Sequence, residues 1–229
     1  MKKIKIMTRS KRLDLIPMTD DELRALIEET EDEGLKLAYG EMLAGCLSDP
    51  DNRLWHTPWK MVLKKERKRI GDLSFKGPPK DDAAEIGYGI DPAYENQGYT
   101  TEAAKAMLDW AFQSDELFFI EAEAEADNAA SLRVIEKLGM KQYGMGEEGP
   151  RFVVEKPKSS WLAVYMCFGL AIGLSLGNLL FDNMSVGMCI GLVLGAAVGA
   201  SLDKAVGKKL EAARTRRRER LGDGSVVGN

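Results

Sequence analysis

The stretch EIGYGIDPAYENQGYTTEAAKAMLDWAF, residues 85–112, decides how the rest of the chain is read. Ala84–Ile90 has the composition of a strand that runs into a turn at Pro92. Thr100–Phe112 predicts a helix with Ala103, Ala104, Met107, Leu108 and Ala111 on one side. Between them, Gln97, Gly98, Tyr99, Thr100 and Thr101 present successive backbone N–H groups at the positive end of the helix dipole, a geometry that suits a pyrophosphate. Gly98 lets the phosphate approach because it has no side chain to obstruct it.

Downstream, Leu117–Ala126 predicts a strand, with Glu121, Glu123 and Glu125 on one face and Ala122, Ala124 and Ala126 on the other. Asp127-Asn128 caps a helix over Ala129–Leu138 that closes at Gly139. Short strands follow near Lys141–Gly144 and Arg151–Glu155. Upstream, Arg12–Met18 reads as a strand, and Thr19-Asp20-Asp21-Glu22 as a helix-capping signature. Two helices broken near Gly34 occupy the stretch to Leu47, followed by a hairpin of Trp59–Lys65 and Arg69–Phe75. The order β-α-α-β-β-β-α-β-α-β-β is an α/β (α+β) layout, a mixed and mostly antiparallel sheet flanked by helices.

Residues 85–112 gain specificity from NAASLRVIEKLGM, residues 128–140, about thirty residues further on. Together the two segments resemble the acetyl-CoA-binding core of the GNAT N-acetyltransferase superfamily, and within it the ribosomal-protein N-terminal acetyltransferase-like branch. That branch pairs an EIGY-type strand with a GYxTEA helix start and a later N-x-x-S-x-x-V-x-x-K-x-G pattern. The likeness covers roughly residues 10–155. It implies a GNAT-like fold and acetyl-CoA as co-substrate, with Gln97, Gly98, Tyr99, Thr100 and Thr101 as phosphate cradle. It also implies that the pantetheine arm lies between splayed strands 85–90 and 117–126, pairing with main chain near Ile90, and that Asn128 hydrogen-bonds that arm. The chain departs from the family twice. Glu95 stands where the R/Q-x-x-G-x-G/A signature begins, and Thr100 where it ends. Ile135 replaces the tyrosine that many relatives carry as general acid.

Acetyl transfer to an amine needs a neutral nitrogen nucleophile, a polarised thioester carbonyl and a proton for the departing thiolate. With Ile135 in the tyrosine's place, Ser131 is the nearest candidate donor, or else a helix-face packing residue. Glu85 and Glu123, on strands bordering the expected cleft, are the candidate bases, with a raised pKa or a relayed water required of either. The Glu121, Glu123 and Glu125 face also supplies a negative field that attracts a cationic amine. Trp55, His56, Trp59 and Tyr88 either line the acceptor pocket or belong to the core, and Met107 and Trp110 read as core.

Charge divides the chain. Residues 1–160 carry 24 Lys and Arg against 31 Asp and Glu, whereas residues 203–229 carry 8 against 4. An acidic front segment argues against nucleic acid as a partner and is compatible with an amine. Cys46, Cys167 and Cys189 are scattered and odd in number, so no disulfide framework is read, and one histidine with no zinc-type spacing gives no metal site. The basic MKKIKIMTRSKR start lacks a following apolar run, so no signal peptide is read.

Between Trp161 and Leu202 the only charged residue is Asp182. Trp161–Phe181 and Met184–Leu202 each approach the roughly 20 apolar residues that cross a bilayer. MCFGLAIGLSLG (166–177) repeats as MCIGLVLGAAVG (188–199), and its fourfold-spaced glycines predict close helix packing, a glycine zipper turning at Asp182-Asn183. Lys156 and Lys158 precede the first span and Lys204 to Arg220 follow the second, so the positive-inside rule keeps the front domain and both termini cytoplasmic. Arg214–Arg220 either meets anionic headgroups or acts as a stop-transfer signal.

The reading is a GNAT-type domain over 1–155, a linker at 156–160, a membrane hairpin over 161–202 and a basic tail over 203–229 whose end is disordered. The function expected is transfer of acetyl from acetyl-CoA to a primary amine, a small amine or a protein N-terminus, by direct attack in a ternary complex at a lipid bilayer. The alternatives are an acyl-CoA sensor without turnover, and a homo-oligomer built through the glycine helices with a regulatory GNAT cap.

Overall fold

A computed structural model describes residues 8–158, 160–181 and 183–222. The first seven residues, Asp182 of the expected turn and the chain end at 223–229 lie outside that description, and with them the readings placed there. Contacts divide the chain after Lys156, Pro157–Gly222 forming a second unit.

The first unit runs β1 (Thr8–Arg9), β2 (Leu13–Pro17), α1 (Asp20–Glu29), α2 (Glu33–Ser48), α3 (Arg53–His56), β3 (Trp59–Leu63), β4 (Arg69–Phe75), β5 (Ala83–Ile90), α4 (Tyr99–Ala111), β6 (Phe119–Glu123), α5 (Ala129–Lys137), β7 (Lys141–Met145) and β8 (Pro150–Glu155). The strands form one sheet in the order β1-β2-β3-β4-β5-β6-β8-β7. The β5–β6 pair is parallel and every other pair antiparallel. This is the mixed, mostly antiparallel sheet that the element order implied.

Local chemistry explains the boundaries. Thr19 and Glu22 close a reciprocal capping box at the start of α1. The break before α2 falls at Thr30–Asp32 rather than at Gly34, because the Asp32 carboxylate accepts the Leu35 N–H at 2.8 Å and starts the helix there. Gly139, at φ +73, follows α5 as a left-handed stop. β6 ends at Glu123, short of the expected Ala126, since the chain past Ala124 turns to present Asn128 as the cap of α5.

The parallel pair matters most for function. It covers Ala83↔Phe119 to Glu85↔Glu121 and then stops. β5 continues against β4 as far as Gly71↔Ile90, while β6 stays with β8 as far as Glu123↔Arg151. The two strands therefore part, and the main chain of residues 86–90 has a strand on one side only. Behind the wedge α4 packs Ala103, Ala104, Met107 and Ala111, all fully buried, against the sheet. Trp55, Trp59, Phe75 and Trp110 form one aromatic cluster, with ring centroids 4.9–6.1 Å apart. Trp59 is wholly buried, and its indole N–H donates to the Leu54 carbonyl at 3.0 Å, so Trp55 and Trp59 are core. His56 lies beside Asp49, with its Nε2 3.6 Å from that carboxylate.

The second unit is a hairpin of α6 (Trp161–Phe181) and α7 (Met184–Leu221). Asn183 caps α7 by accepting the N–H groups of Ser185 and Val186. At the other end the Asp203 carboxylate accepts the N–H groups of Trp161 at 2.7 Å and Leu162 at 3.1 Å, capping α6 from α7. Glycines form the contact: a Cβ on Gly169 would overlap the Gly191 carbonyl, and one on Gly173 the Gly187 carbonyl. Those glycine faces meet within one chain, so an oligomer joined through them would compete with the hairpin itself. The outward face holds Phe168, Ile172, Leu179, Val193 and Leu194, all more than half exposed. Both helices are long and apolar enough to cross a membrane. α7 does not stop at Leu202 but runs unbroken through the basic segment to Leu221.

Candidate functional site

Two clefts flank the free half of β5. The first has a volume of about 260 Å³, and its lining includes Tyr88, Gly89 and Ile90 of β5, Gly98 to Thr101 at the start of α4, and Asn128 and Ser131 of α5. Gly98 is the N-cap of α4 at φ +77, and no side chain caps that helix. The first-turn amides of α4 therefore face open space rather than a capping oxygen, which is what an anion requires. These residues fit a coenzyme pyrophosphate on that ground.

The loop before α4 is held from β2's end of the molecule. Arg12 donates from its main-chain N–H and its Nε to the two oxygens of Glu102, each at 2.6 Å. Its Nη1 donates to the Gln97 carbonyl at 3.1 Å, and its guanidinium lies 4.1 Å over the Tyr99 ring. Burial pushes the Glu102 carboxyl up, but bonds from Ser10 and Arg12 outweigh it and hold the pKa below 4.5. Arg12 thus fixes Gln97, Tyr99 and the first turn of α4 together.

Glu95 lines the same cleft, as do Arg133 and Lys137 of α5. Two cations thus offset the carboxylate that departs from the family signature, and Arg133 is held by donating to Asn96 Oδ1 at 3.2 Å. Sequence reasoning passed over this pair, although its spacing of four on one helix face was legible.

Asn128 accepts the Ser131 N–H at 3.0 Å, so its side-chain oxygen is engaged in capping α5. Tyr88 donates its hydroxyl to the Ser131 carbonyl at 3.4 Å, and burial raises that phenol's pKa. Ile135 is buried in the core and borders neither cleft.

The second cleft, about 540 Å³, lies on the α2 side of the sheet and shares Tyr88, Gly89 and Ile90 with the first. Leu35, Ala38, Tyr39 and Met42 of α2 form one wall, facing Arg69, Asp72 and Lys76 around β4. Asp72 sits opposite Gly89 in the antiparallel register, so the absent side chain at Gly89 leaves its carboxylate facing the cleft. Asp72 pairs with Arg69 and lies 3.5 Å from the Tyr39 hydroxyl, whose pKa is pushed up to about 12 by burial and by that charge. The sequence reading did not single out Asp72, because its relation to Gly89 exists only through strand register.

The two candidate bases are differently placed. Glu85 pairs with Lys76 at 2.5 Å and lies 3.8 Å from Arg151, at the closed end of the wedge. Glu123 accepts the N–H groups of Glu148 at 2.7 Å and Gly149 at 3.1 Å and the Arg151 Nε at 3.1 Å. Its side chain is 4% exposed. Burial raises its pKa, but these donors outweigh burial and lower it. Glu121 accepts the Tyr143 hydroxyl at 2.8 Å, and Glu125 lies outside the strand, so the three glutamates do not form one strand face.

The family model for the GNAT acetyltransferase domain matches residues 12–141. Among curated proteins, the uncharacterized N-acetyltransferase YnaD of Bacillus subtilis (strain 168) is 36% identical over 84 residues, 37% of this chain and 49% of that one. The chain thus spans about half the length of the curated relatives it matches. A GNAT-family acetyltransferase structure from Bacillus anthracis superposes with TM-score 0.50 at 23% identity, covering 65% of this chain and 98% of its own. The ribosomal-protein-S5-alanine acetyltransferase of Vibrio fischeri superposes with TM-score 0.51 at 16% identity, covering 65% and 95%. At those identities the structures speak for the fold.

Proposed function

Since the chain belongs to the GNAT acetyltransferase family, by the match over residues 12–141, we propose that it transfers acetyl from acetyl-CoA to a primary amine while its helical hairpin holds it at a membrane. The observation that carries this reading is the meeting of two clefts at Tyr88, Gly89 and Ile90, on a strand that leaves its parallel partner after Glu85. A thioester entering from the α4–α5 side and an amine entering from the α2 side meet there by direct attack.

In this reading acetyl-CoA, when bound, supplies the activated acetyl group. The amides of Gly98 to Thr101 hold its pyrophosphate, Arg133 and Lys137 add positive charge, and Gln97 shapes the loop. The main chain at Ile90 pairs with the pantetheine arm, and Asn128 and Ser131 border its sulfur end. The α2-side cleft receives the amine, with Asp72 as the carboxylate closest to Gly89 in register. Of the two expected bases, Glu85 works through a relayed water. Glu123, three times hydrogen-bonded and with a lowered pKa, serves instead to hold the 148–151 turn. A small amine or a protein N-terminus is the acceptor in this reading.

The apolar helices span the bilayer, with Lys156, Lys158 and the basic end of α7 on the cytoplasmic side. A second reading, an acyl-CoA sensor without turnover, draws support from the buried Ile135 in place of the family's acid. One experiment separates them: calorimetry of acetyl-CoA on the detergent-purified full chain, followed by thiol release with spermidine and an Ala-initiated peptide. Binding with thiol release supports transfer, binding alone supports the sensor, and no binding overturns both.

A further inference from the structure

The helix position that carries a phenol in many relatives is Ile135, 2% exposed and packed in the core. A different phenol borders the coenzyme cleft at the level of α5's first turn. Tyr88 lies on both clefts, and its hydroxyl reaches the Ser131 carbonyl at 3.4 Å. Two other tyrosines line the coenzyme cleft but sit under cations, Tyr94 beneath Lys68 at 5.0 Å and Tyr99 beneath Arg12 at 4.1 Å. Neither borders the amine cleft. Tyr88 is the tyrosine on the wall that the two clefts share.

We propose that Tyr88 is the catalytic residue that returns a proton to the departing coenzyme sulfur, its hydroxyl turning to the sulfur from the Ser131 carbonyl, and that Ser131 is a positioning residue whose main-chain carbonyl holds the phenol at the cleft until the coenzyme is bound. The inference rests on the acetyl-transfer reading. The amine nitrogen forms a bond to the thioester carbonyl carbon, and the carbon–sulfur bond breaks with its electron pair passing to sulfur. The extra proton on nitrogen leaves to cleft water, and Tyr88 Oη–H protonates the sulfur. The phenolate then takes a proton from solvent, so the sum is amine plus thioester giving amide plus thiol. A phenol suits this step better than the Ser131 hydroxyl, because its ordinary pKa of about 10 is in the range of thiols, about 8.5 for a cysteine side chain, whereas an alcohol's lies far above it. Burial, which raises the Tyr88 pKa, keeps the proton in place until it is needed.

The test needs binding alone. Calorimetry gives the affinities of CoA and acetyl-CoA for the detergent-purified full chain at about pH 7 and about pH 9.5, on either side of the CoA thiol's ionisation. A phenol at the sulfur donates to the thiolate, so affinity for CoA relative to acetyl-CoA rises about tenfold with pH in the wild type. Glu95, Arg133 and Lys137 on one side and Arg69, Asp72, Lys76 and Asp91 on the other also act on the CoA thiolate, but they are the same in wild type and in Tyr88→Phe, so the difference between the two rises isolates the phenol. Tyr88→Phe cuts the rise several-fold while still binding acetyl-CoA, and Tyr88→Leu serves if the Phe variant does not fold. Ser131→Ala keeps the rise, since its carbonyl remains. A flat wild-type ratio, a rise that Tyr88→Phe leaves undiminished, or a rise lost in Ser131→Ala overturns the proposal. A wild type that binds neither ligand refutes the acetyl-transfer reading itself.

Discussion

Arg12 grips both oxygens of Glu102, from its main-chain N–H and its Nε, and with the same guanidinium reaches the Gln97 carbonyl and covers the Tyr99 ring. One side chain next to β2 thereby sets the loop that opens α4. Arg12→Ala frees that loop and leaves Glu102 without its cation. The expected result is a stability loss of about 1–2 kcal/mol and an acetyl-CoA affinity at least about fivefold weaker. Thermal unfolding by tryptophan fluorescence and calorimetry measure the two, and an unchanged affinity would show that the loop does not need this clamp.

Gly98 sits at φ +77 with only the Arg12 guanidinium, 3.7 Å away, near an added Cβ. Gly98→Ala meets backbone strain rather than a clash, which costs about 1 kcal/mol of stability. A methyl group on the phosphate path weakens acetyl-CoA binding by more than that, about tenfold or greater. The comparison of melting temperature with dissociation constant separates the two effects.

Glu123 has its pKa lowered from 4.5 by three donors that outweigh burial. A carboxyl whose folded pKa lies below its unfolded value stabilises the fold fully above about 4.5, and that stabilisation disappears as pH falls through the folded value. Glu123→Gln is therefore less stable than wild type by about 1–3 kcal/mol at neutral pH. The gap narrows below about pH 4. A gap that stays constant from pH 7 to pH 3 would contradict the assignment.

Gly191 faces the Gly169 carbonyl so closely that a Cβ at either would overlap main chain, whereas Gly207, further along α7, has nothing within 4 Å of an added Cβ. Gly191→Leu forces α6 and α7 apart and lowers the thermal midpoint of the membrane unit in detergent. Gly207→Ala leaves the contact intact and gains up to about 1 kcal/mol of helix propensity. Equal effects of the two substitutions would mean that the glycine contact does not hold the hairpin.

Much of the fold was legible locally. The capping box at Thr19 and Glu22, the stop at Gly139, the apolar face of α4 and the Asn128 cap are all short-range signals, and each appears where the sequence puts it. Readings that depended on a partner fared differently. Trp55 and Trp59, which the sequence left open between pocket wall and core, pack with Phe75 and Trp110 in the core. The alternating Glu121, Glu123 and Glu125 look like one free acidic face, yet Glu121 and Glu123 are taken up by Tyr143 and by the 148–151 turn.

By itself the sequence determined what repeats at short range or accumulates along a helix. That includes the strand–glycine–helix start at 85–101, the uncharged glycine-repeat segment after Trp161 and the acidic front against the basic end, because backbone propensity, capping and hydropathy act between residues a few positions apart. The family resemblance already implied that the two strands splay; only the tertiary structure decided that they part after Glu85, that Asp72 faces the gap left by Gly89, and that Tyr88 stands between the two clefts. Those relations join residues tens of positions apart through register and splay, which no local pattern in the chain encodes.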